Sequence, residues 1–271
     1  AVARDLASRA RTLDAAVTTA DILQACRNAW TACGLQAVFG GVPRLTPAIF
    51  AYSMLYPYSD NYLDDNGVSG AAKLRFSARF KRRLAGDASP AGALEKIIWR
   101  LISLIEDQWP RKDYPEVYHS LLSIHRAQES SLQQQRAVAP GGPDILRLSF
   151  AKGGASVLAD AYPAKGILSE VEERFAFGWG ALLQLGDDLQ DLKSDRQKGF
   201  RTLFSSVPTQ APLDPLVTKT LHFANAVMGS MRPLAGGEDH LKELLRKNSV
   251  SLLITAAAEY SEFFTPAYLL Q

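Results

Sequence analysis

The chain has 271 residues, 47% of them hydrophobic and 21% charged, and its formal net charge at pH 7 is +2. This apolar content is enough for a real core in one large or two small domains. The nearly balanced charge argues against a nucleic-acid-binding surface spread over the whole molecule.

Neither a membrane segment nor a disulfide is predicted. No stretch approaches the roughly eighteen consecutive apolar residues of a membrane span, and no signal-like segment opens the sequence. Cys26 and Cys33 lie in one predicted helix, where they would share a face without bonding to each other. We therefore expect a cytoplasmic protein with reduced thiols.

Nearly the whole sequence has the apolar periodicity of α-helices, and it contains no strand pattern, repeat or domain linker. We therefore predict an all-α fold with a single domain, residues 1–271. The first helical region spans about Asp5 to Leu35, with Asp21 as a candidate N-cap inside it. The next predicted helices cover about 46–65, 69–84, 91–108, 114–136, 145–162 and 169–196, with two or three more before the C-terminus.

Several helix boundaries have specific signals. Pro47 suits a first helical turn, and Asn66-Gly67 suits the end of the same helix. Pro163 to Gly166 is predicted to terminate the helix before the central one. Ser169 followed three residues later by Glu172 is a capping box, so the central helix should begin there.

The helix predicted over 69–84 is strongly basic. Its six cations most simply form a solvated face, with substrate binding as the alternative. They are Lys73, Arg75, Arg79, Lys81, Arg82 and Arg83.

A stack of carboxylates near the end of the central helix is the strongest chemical signal. Asp187, Asp191 and Asp195 are spaced four residues apart and would share one helix face, with Asp188 beside them. Like charges at this spacing destabilise a helix by about 0.2–0.5 kcal/mol per pair, so keeping three of them indicates a bound cation. Hard oxygen ligands in a row suit Mg²⁺. The alternative is a solvated acidic face.

A second acidic cluster lies more than a hundred residues earlier. Asp60 and Asp64 are again four apart, and Asp65 follows directly. Mg²⁺ is usually held by one or two carboxylates together with substrate phosphates. Two acidic helices could therefore hold a polyphosphate through bridging metal ions.

Other metal and nucleophile chemistries have weaker signals. Glu116-x-x-His119 matches half of a di-iron ligand set, but a second Glu-x-x-His is missing from the sequence. A helical metal phosphohydrolase would be expected to have a His-Asp doublet, and the sequence has only the reversed pair, Asp239-His240. The sequence has no nucleophile elbow and no phosphate-binding glycine-rich loop followed by Lys and Ser or Thr.

Taken together, the two acidic motifs resemble those of the class I isoprenoid synthases. Gln184 followed by Asp187, Asp191 and Asp195 is similar to the second motif of squalene and phytoene synthases and of bacterial large terpene synthases. The basic and glycine-containing segment 196–199 follows, as it does in that group, and Asp60-x-x-x-Asp64-Asp65 is similar to its first motif. The resemblance concerns motifs, which with their flanks span residues 43–204.

The resemblance implies a helical bundle in which the two acidic helices face each other across a deep apolar cavity, with Mg²⁺ as cofactor and a prenyl diphosphate as substrate. The implied metal ligands are Asp60, Asp64, Asp65, Asp187, Asp191 and Asp195, of which Asp60, Asp64, Asp187 and Asp191 are the catalytic core. The implied diphosphate-binding cations are Lys152, Arg196, Lys198 and Arg201. The cavity is expected to be lined by Tyr56, Trp179, Gly180 and Leu183, with Tyr52, Tyr62 and Phe175 as further aromatic candidates.

Within this group a terpene synthase is the favoured reading. Chain-elongating enzymes are disfavoured because the first motif is followed by residues 66–69, Asn-Gly-Val-Ser, instead of paired arginines. Head-to-head condensing enzymes like squalene or phytoene synthase are the alternative, although residues 152–162 lack their usual tyrosine-rich stretch. A catalytically silent partner subunit is a third possibility. Prenyl chain length, product skeleton and the choice between monomer and homodimer are left open.

Overall fold

The computed structural model describes residues 1–65, 67–87, 89–131 and 144–270, and every regular element in those ranges is a helix. The all-α prediction is confirmed to that extent. None of the helices in the described ranges is long and apolar enough to cross a membrane. The helices are α1 Val2–Leu13, α2 Thr19–Val38, α3 Pro47–Asp64, α4 Gly70–Leu84, α5 Ala93–Gln108, α6 Pro115–Ser131, α7 Ile145–Lys165, α8 Glu170–Gln190, α9 Leu192–Lys198, α10 Asp214–Gly229, α11 Asp239–Glu259 and α12 Pro266–Leu269, with a 3₁₀ turn at Ser261–Phe263.

The described residues fall into two compact units, and α7 contributes to both. The first consists of Ala1–His125 with Ala159–Leu168, and the second of Arg126–Leu158 with Ser169–Gln271. The first acidic motif belongs to the first unit and the second motif to the second unit. The single domain and the facing acidic helices stay predictions.

Each unit has its own apolar core. In the first unit α3 packs against α2 and α5, and α1 packs against α2; in the second, α8, α10 and α11 pack against one another. Fully buried residues of the first core include Leu35, Ile49, Met54, Ile98, Leu101, Ile102 and Ile105. Those of the second include Phe175, Leu182 and Phe204.

The predicted first-turn position of Pro47 in α3 and the predicted capping box of α8 are confirmed. Thr46 caps α3 by accepting a hydrogen bond from the Ile49 backbone N–H, with Pro47 in the first turn. Ser169 and Glu172 form the capping box of α8. Their side chains satisfy backbone donors that have no partner inside the helix.

The first helical region is two helices, and the second begins close to the predicted N-cap. The chain leaves the helical conformation at Asp14, which is extended. Thr18 then caps α2 and forms a capping box with Asp21. Asp21 is therefore the third residue of α2 and the partner of the cap, because Thr18 occupies the N-cap position itself.

The helix α7 is longer than predicted, since Pro163 lies inside its last turn and the helix ends at Lys165. Gly166 ends it with φ +83°, a left-handed conformation that favours glycine. The ring of Trp109 lies against Gly166, and its Nε1 donates a hydrogen bond to the Pro163 carbonyl. The Trp109 hydrogen bond gives the Pro163 carbonyl a partner, which carbonyls in the last turn of a helix lack within the helix itself.

The basic helix α4 is only partly a solvated face. Arg79 binds Glu95 of α5, and Arg83 binds Glu106 of α5 at 2.5 Å. Arg111 donates to the same Glu106 carboxylate at 2.7 Å. Burial opposes ionisation of Glu106, but the hydrogen bonds from Arg83 and Arg111 outweigh it and hold its pKa below the usual range. Arg79 and Arg83 therefore join α4 to α5.

Candidate functional site

The second acidic motif continues through a short break between two helices. The helix α8 ends at Gln190, and α9 begins at Leu192. The helical hydrogen bonds nevertheless carry on, because Asp191 N donates to Asp187 O and Asp195 N donates to Asp191 O, both at 2.8 Å. The prediction of an uninterrupted helix is therefore wrong at Asp191. The backbone of the three acids is nevertheless joined by helical hydrogen bonds four residues apart.

The helices α7 and α8 approach closely next to this motif. Gly153 of α7 and Gly180 of α8 lie against each other, and a methyl group on either would overlap the carbonyl oxygen of the other. Gly154 lies against the ring of Phe177 in the same way. Two glycines inside helices, which would normally cost stability, here allow the two backbones to touch.

This close approach brings polar groups of α7 to the acidic stretch. Asp188 is 4% exposed, and its two carboxylate oxygens accept hydrogen bonds from Ser149 Oγ and Gln184 Nε2, each at 2.8 Å. Burial raises the pKa of Asp188, while these hydrogen bonds and the positive charge of Lys152 act in the opposite direction. Sequence reasoning placed Asp188 only beside the motif and missed Ser149.

The other acids of the motif are more accessible. Asp191 is exposed, while Asp187 and Asp195 are half-buried. The pKa of Asp195 is raised to about 6, by burial first and then by the negative charges of Asp191 and Asp188, against the opposing charges of Lys198 and Lys152. The motif is therefore a concentration of negative charge that repels itself, as a cation-binding surface would.

The donor chemistry fits Mg²⁺ only together with a substrate. In the described ranges of the chain, no group of three or more His, Cys, Asp or Glu side chains is arranged to hold a metal ion. Mg²⁺ in phosphate-processing sites keeps waters and takes one or two carboxylates plus substrate phosphates. Asp187 and Asp191 could supply such a pair. The residues present thus fit an ion that arrives with a polyphosphate.

The four predicted diphosphate-binding cations differ in their surroundings. Lys152 lies close enough to influence Asp188 and Asp195, and Lys198 to influence Asp195. Arg201 is half-buried. Arg196 already has contacts within the protein, since its Nη2 donates to the Val207 carbonyl at 2.8 Å and its guanidinium lies 4.6 Å from the centre of the Phe263 ring.

The first acidic motif lies at the end of α3. Asp60 is half-buried there. Asp65 is the C-cap residue, and its Oδ1 accepts a hydrogen bond from Gly67 N at 2.7 Å, which stabilises the turn after the helix. Asp64 is the last residue of α3, and its side chain lies outside the described residues. The roles of these three acids as metal ligands stay predictions.

A buried carboxyl group in the same unit was not predicted. Asp160 of α7 is 3% exposed, and its Oδ1 has no hydrogen-bond partner among the described residues. Burial raises its pKa well above the usual value. Burial also raises the pKa of the neighbouring Tyr52, and the charges of Asp160 and Asp60 act in the same direction. The signal in the sequence is an acid inside the apolar run 157–162.

The predicted cavity residues divide by their contacts. Trp179 stacks on Phe175 with ring centres 5.8 Å apart, and its Nε1 donates to Ser249 Oγ at 3.3 Å. Gly180 packs against α7, as described above. Tyr56 is 37% exposed and Leu183 is half-buried. Packing thus accounts for Trp179 and Gly180, and the cavity role of all four stays a prediction.

Two surface clefts have linings that do not include these residues. One, of about 560 Å³, is in the second unit and has a mainly apolar lining that includes Phe150, Phe177 and Phe223. The other, of about 490 Å³, is in the first unit and is lined in part by Phe39 and Trp109. None of the predicted site residues lines either cleft.

Comparisons of the chain with models of known protein families, with curated proteins and with solved structures give no match. The acidic motifs and the side chains around them therefore carry the inference of function. Within the second unit these are Asp187, Asp188, Asp191 and Asp195 with Lys152 beside them.

Proposed function

We propose that the protein is a Mg²⁺-dependent class I terpene synthase. It would ionise a linear prenyl diphosphate, such as farnesyl, geranylgeranyl or a longer chain, and release diphosphate to give a terpene. One observation carries the proposal: the acids of the second motif are close enough to act on one another, with Lys152 beside them. Burial and the negative charges of Asp191 and Asp188 together raise the pKa of Asp195 to about 6. A bound cation would remove that repulsion.

The acidic residues would hold the metal ions and the cations would hold the leaving group. Asp187, Asp191 and Asp195 in one motif, and Asp60, Asp64 and Asp65 in the other, are the proposed ligands. Mg²⁺, when bound, supplies charge that neutralises a departing diphosphate. Lys152, Lys198 and Arg201 would donate charge-assisted hydrogen bonds to the diphosphate oxygens. Arg196 would use the part of its guanidinium that does not hold Val207.

Loss of diphosphate leaves an allylic carbocation, which has to be kept from water. Aromatic faces stabilise a nearby cation by about 0.5–2 kcal/mol each. Tyr56 is a candidate for this role because it lies one helical turn before Asp60 on α3. Trp179 is the candidate in the second unit.

A head-to-head condensing enzyme like squalene or phytoene synthase is the second candidate. It joins two prenyl chains and therefore needs groups for two diphosphates. Lys152 lies on α7, whereas Lys198 and Arg201 follow the acidic motif, so the two sets of cations could serve different diphosphates. A catalytically silent subunit, the third candidate, would not act on a prenyl diphosphate.

The experiment is to incubate the protein with farnesyl or geranylgeranyl diphosphate, with Mg²⁺ or with a chelator, and to analyse the extract by mass spectrometry. A terpene synthase gives a Mg²⁺-dependent product with the carbon number of its substrate, unaffected by a reduced nicotinamide cofactor. A product of doubled carbon number would identify the condensing enzyme. Absence of diphosphate release from any prenyl chain tested would contradict both.

A further inference from the structure

We propose that Asp188 is a positioning residue that fixes the acidic face of α8 to α7 through Ser149, and that it does not bind the metal itself. The inference rests on the proposed function, because the residues it positions are the proposed ligands Asp187 and Asp191. It assigns to Ser149 a role in the site that no sequence motif indicates.

Asp188 is buried and hydrogen-bonded within the protein, as expected for a positioning residue. Its Oδ2 accepts from Ser149 Oγ and its Oδ1 from Gln184 Nε2, and the carboxylate is 4% exposed. Ser149 itself is 1% exposed. A Mg²⁺ ion keeps several waters, so it needs a ligand with open space around its oxygens. Asp191, which is exposed, has that space, and Asp188 does not.

Two contacts between α7 and α8 fix the direction of the acidic face. The backbones of Gly153 and Gly180 touch, and Ser149 reaches Asp188. Asp188 lies eight residues after Gly180, about 12 Å along an α-helix. Contacts at two points along a helix fix its rotation as well as its distance from its neighbour. Rotation of α8 is what decides where Asp187 and Asp191 point.

The same pair of contacts positions a cation. Lys152 precedes Gly153 and follows Ser149 by less than one turn of α7. Its charge acts on both Asp188 and Asp195. Losing the Ser149–Asp188 hydrogen bond would therefore disturb the proposed metal ligands and a proposed diphosphate-binding group together.

The test measures binding of Mg²⁺ with inorganic diphosphate by calorimetry, which needs no turnover. Ser149→Ala and Asp188→Ala should each weaken binding about tenfold or more, as expected for a group that orients metal ligands. The double variant should bind no more weakly than Asp188→Ala, because both substitutions remove the same Ser149–Asp188 hydrogen bond. Asp188→Asn should keep most of the affinity, because the Ser149 hydroxyl can accept from the new amide.

Matched variants separate positioning from direct ligation and from lost stability. Asp191→Asn, which removes a proposed ligand on the same stretch, should weaken binding strongly. Ile102→Val, which loses core packing in the other unit, should leave binding unchanged. The proposal is overturned if Asp188→Asn is as damaging as Asp191→Asn while Ser149→Ala is neutral, since that is the behaviour of a ligand.

Urea unfolding distinguishes failure of this inference from failure of the proposed function. The effects of Ser149→Ala and Asp188→Ala on the free energy of unfolding should be less than additive. Fully additive effects would contradict the proposal that Asp188 fixes α8 to α7 through Ser149. An unaltered protein that binds no diphosphate with Mg²⁺, yet shows this coupling, would contradict the proposed function and the positioning role, and would leave the contact as helix packing alone.

Discussion

Gly153 of α7 and Gly180 of α8 touch through their backbones, and neither could carry a methyl group without overlapping the carbonyl oxygen of the other. The pair explains why two glycines persist inside helices, where each costs about 1 kcal/mol relative to alanine. It also explains how Ser149 and Lys152 come to lie beside the second acidic motif. Substituting either glycine should therefore affect both stability and the site.

Gly153→Ala or Gly180→Ala should lower the free energy of unfolding by about 1–3 kcal/mol, the usual cost of overpacking a close contact. Gly34→Ala is the matched control. Gly34 lies inside α2 with open space where a Cβ would be, so alanine there should stabilise by up to about 1 kcal/mol. Urea unfolding of the three variants decides the matter. Equal tolerance of alanine at positions 34, 153 and 180 would contradict the close contact.

Asp160 should make stability fall as pH rises. Its pKa in the folded protein is raised by burial, whereas in the unfolded chain it is about 3.9. Between those two values the folded state holds a proton that the unfolded state has lost. Stability is therefore fully present below pH 3.9 or so and declines towards the folded-state pKa, by up to about 1.4 kcal/mol per pH unit.

The measurement for Asp160 is the free energy of unfolding against pH, compared with Asp160→Asn. The amide cannot ionise, so its profile should lack this decline. Parallel profiles for the two proteins would show that Asp160 does not titrate differently in the folded and unfolded states.

Arg196 and Arg201 should differ in what they stabilise. Arg196→Ala loses the hydrogen bond to Val207 and the contact with the Phe263 ring, so it should cost about 1–2 kcal/mol of folding stability. Arg201→Ala should change stability by no more than about 0.5 kcal/mol while raising KM for a prenyl diphosphate. Denaturation and steady-state kinetics on both variants test this. A neutral Arg196→Ala would contradict its structural role.

Isopentenyl diphosphate should not lengthen an allylic substrate. The paired arginines expected after the first motif of an elongating enzyme are replaced here by residues 66–69, Asn-Gly-Val-Ser. Radiolabelled isopentenyl diphosphate tests the point directly. Label recovered in longer prenyl products would overturn the exclusion.

Local signals in the sequence were sufficient for much of the fold. The capping box of Ser169 with Glu172 and the first-turn Pro47 depend on neighbours within a few residues, and both appear as predicted. The sequence places the internal N-cap at Asp21 instead of Thr18, because the apolar periodicity runs through the break at Asp14. The sequence predicts Pro163 as a terminator because proline usually ends a helix, but here it is tolerated in a last turn.

The arrangement of the candidate site depends on contacts between residues that are far apart in the sequence, and the sequence alone does not indicate which of them meet. Ser149 and Asp188 are 39 residues apart, and nothing local marks them as partners. The sequence predicts Gly180 as a cavity residue, but it does not indicate that Gly180 touches Gly153. The apolar run 157–162 indicates that Asp160 is buried, but the sequence does not indicate that Tyr52 is its neighbour.

The central claim is Mg²⁺-dependent ionisation of a prenyl diphosphate, and release of inorganic diphosphate from geranylgeranyl or farnesyl diphosphate tests it most directly. The unaltered protein should release diphosphate only when Mg²⁺ is present. Asp187→Ala and Asp60→Ala, each confirmed as folded by circular dichroism, should release it about 100-fold more slowly or worse. Each variant loses a proposed ligand of the Mg²⁺ ions whose charge would support the leaving group. Release at the native rate by both folded variants, or release that persists in a chelator, would contradict the account.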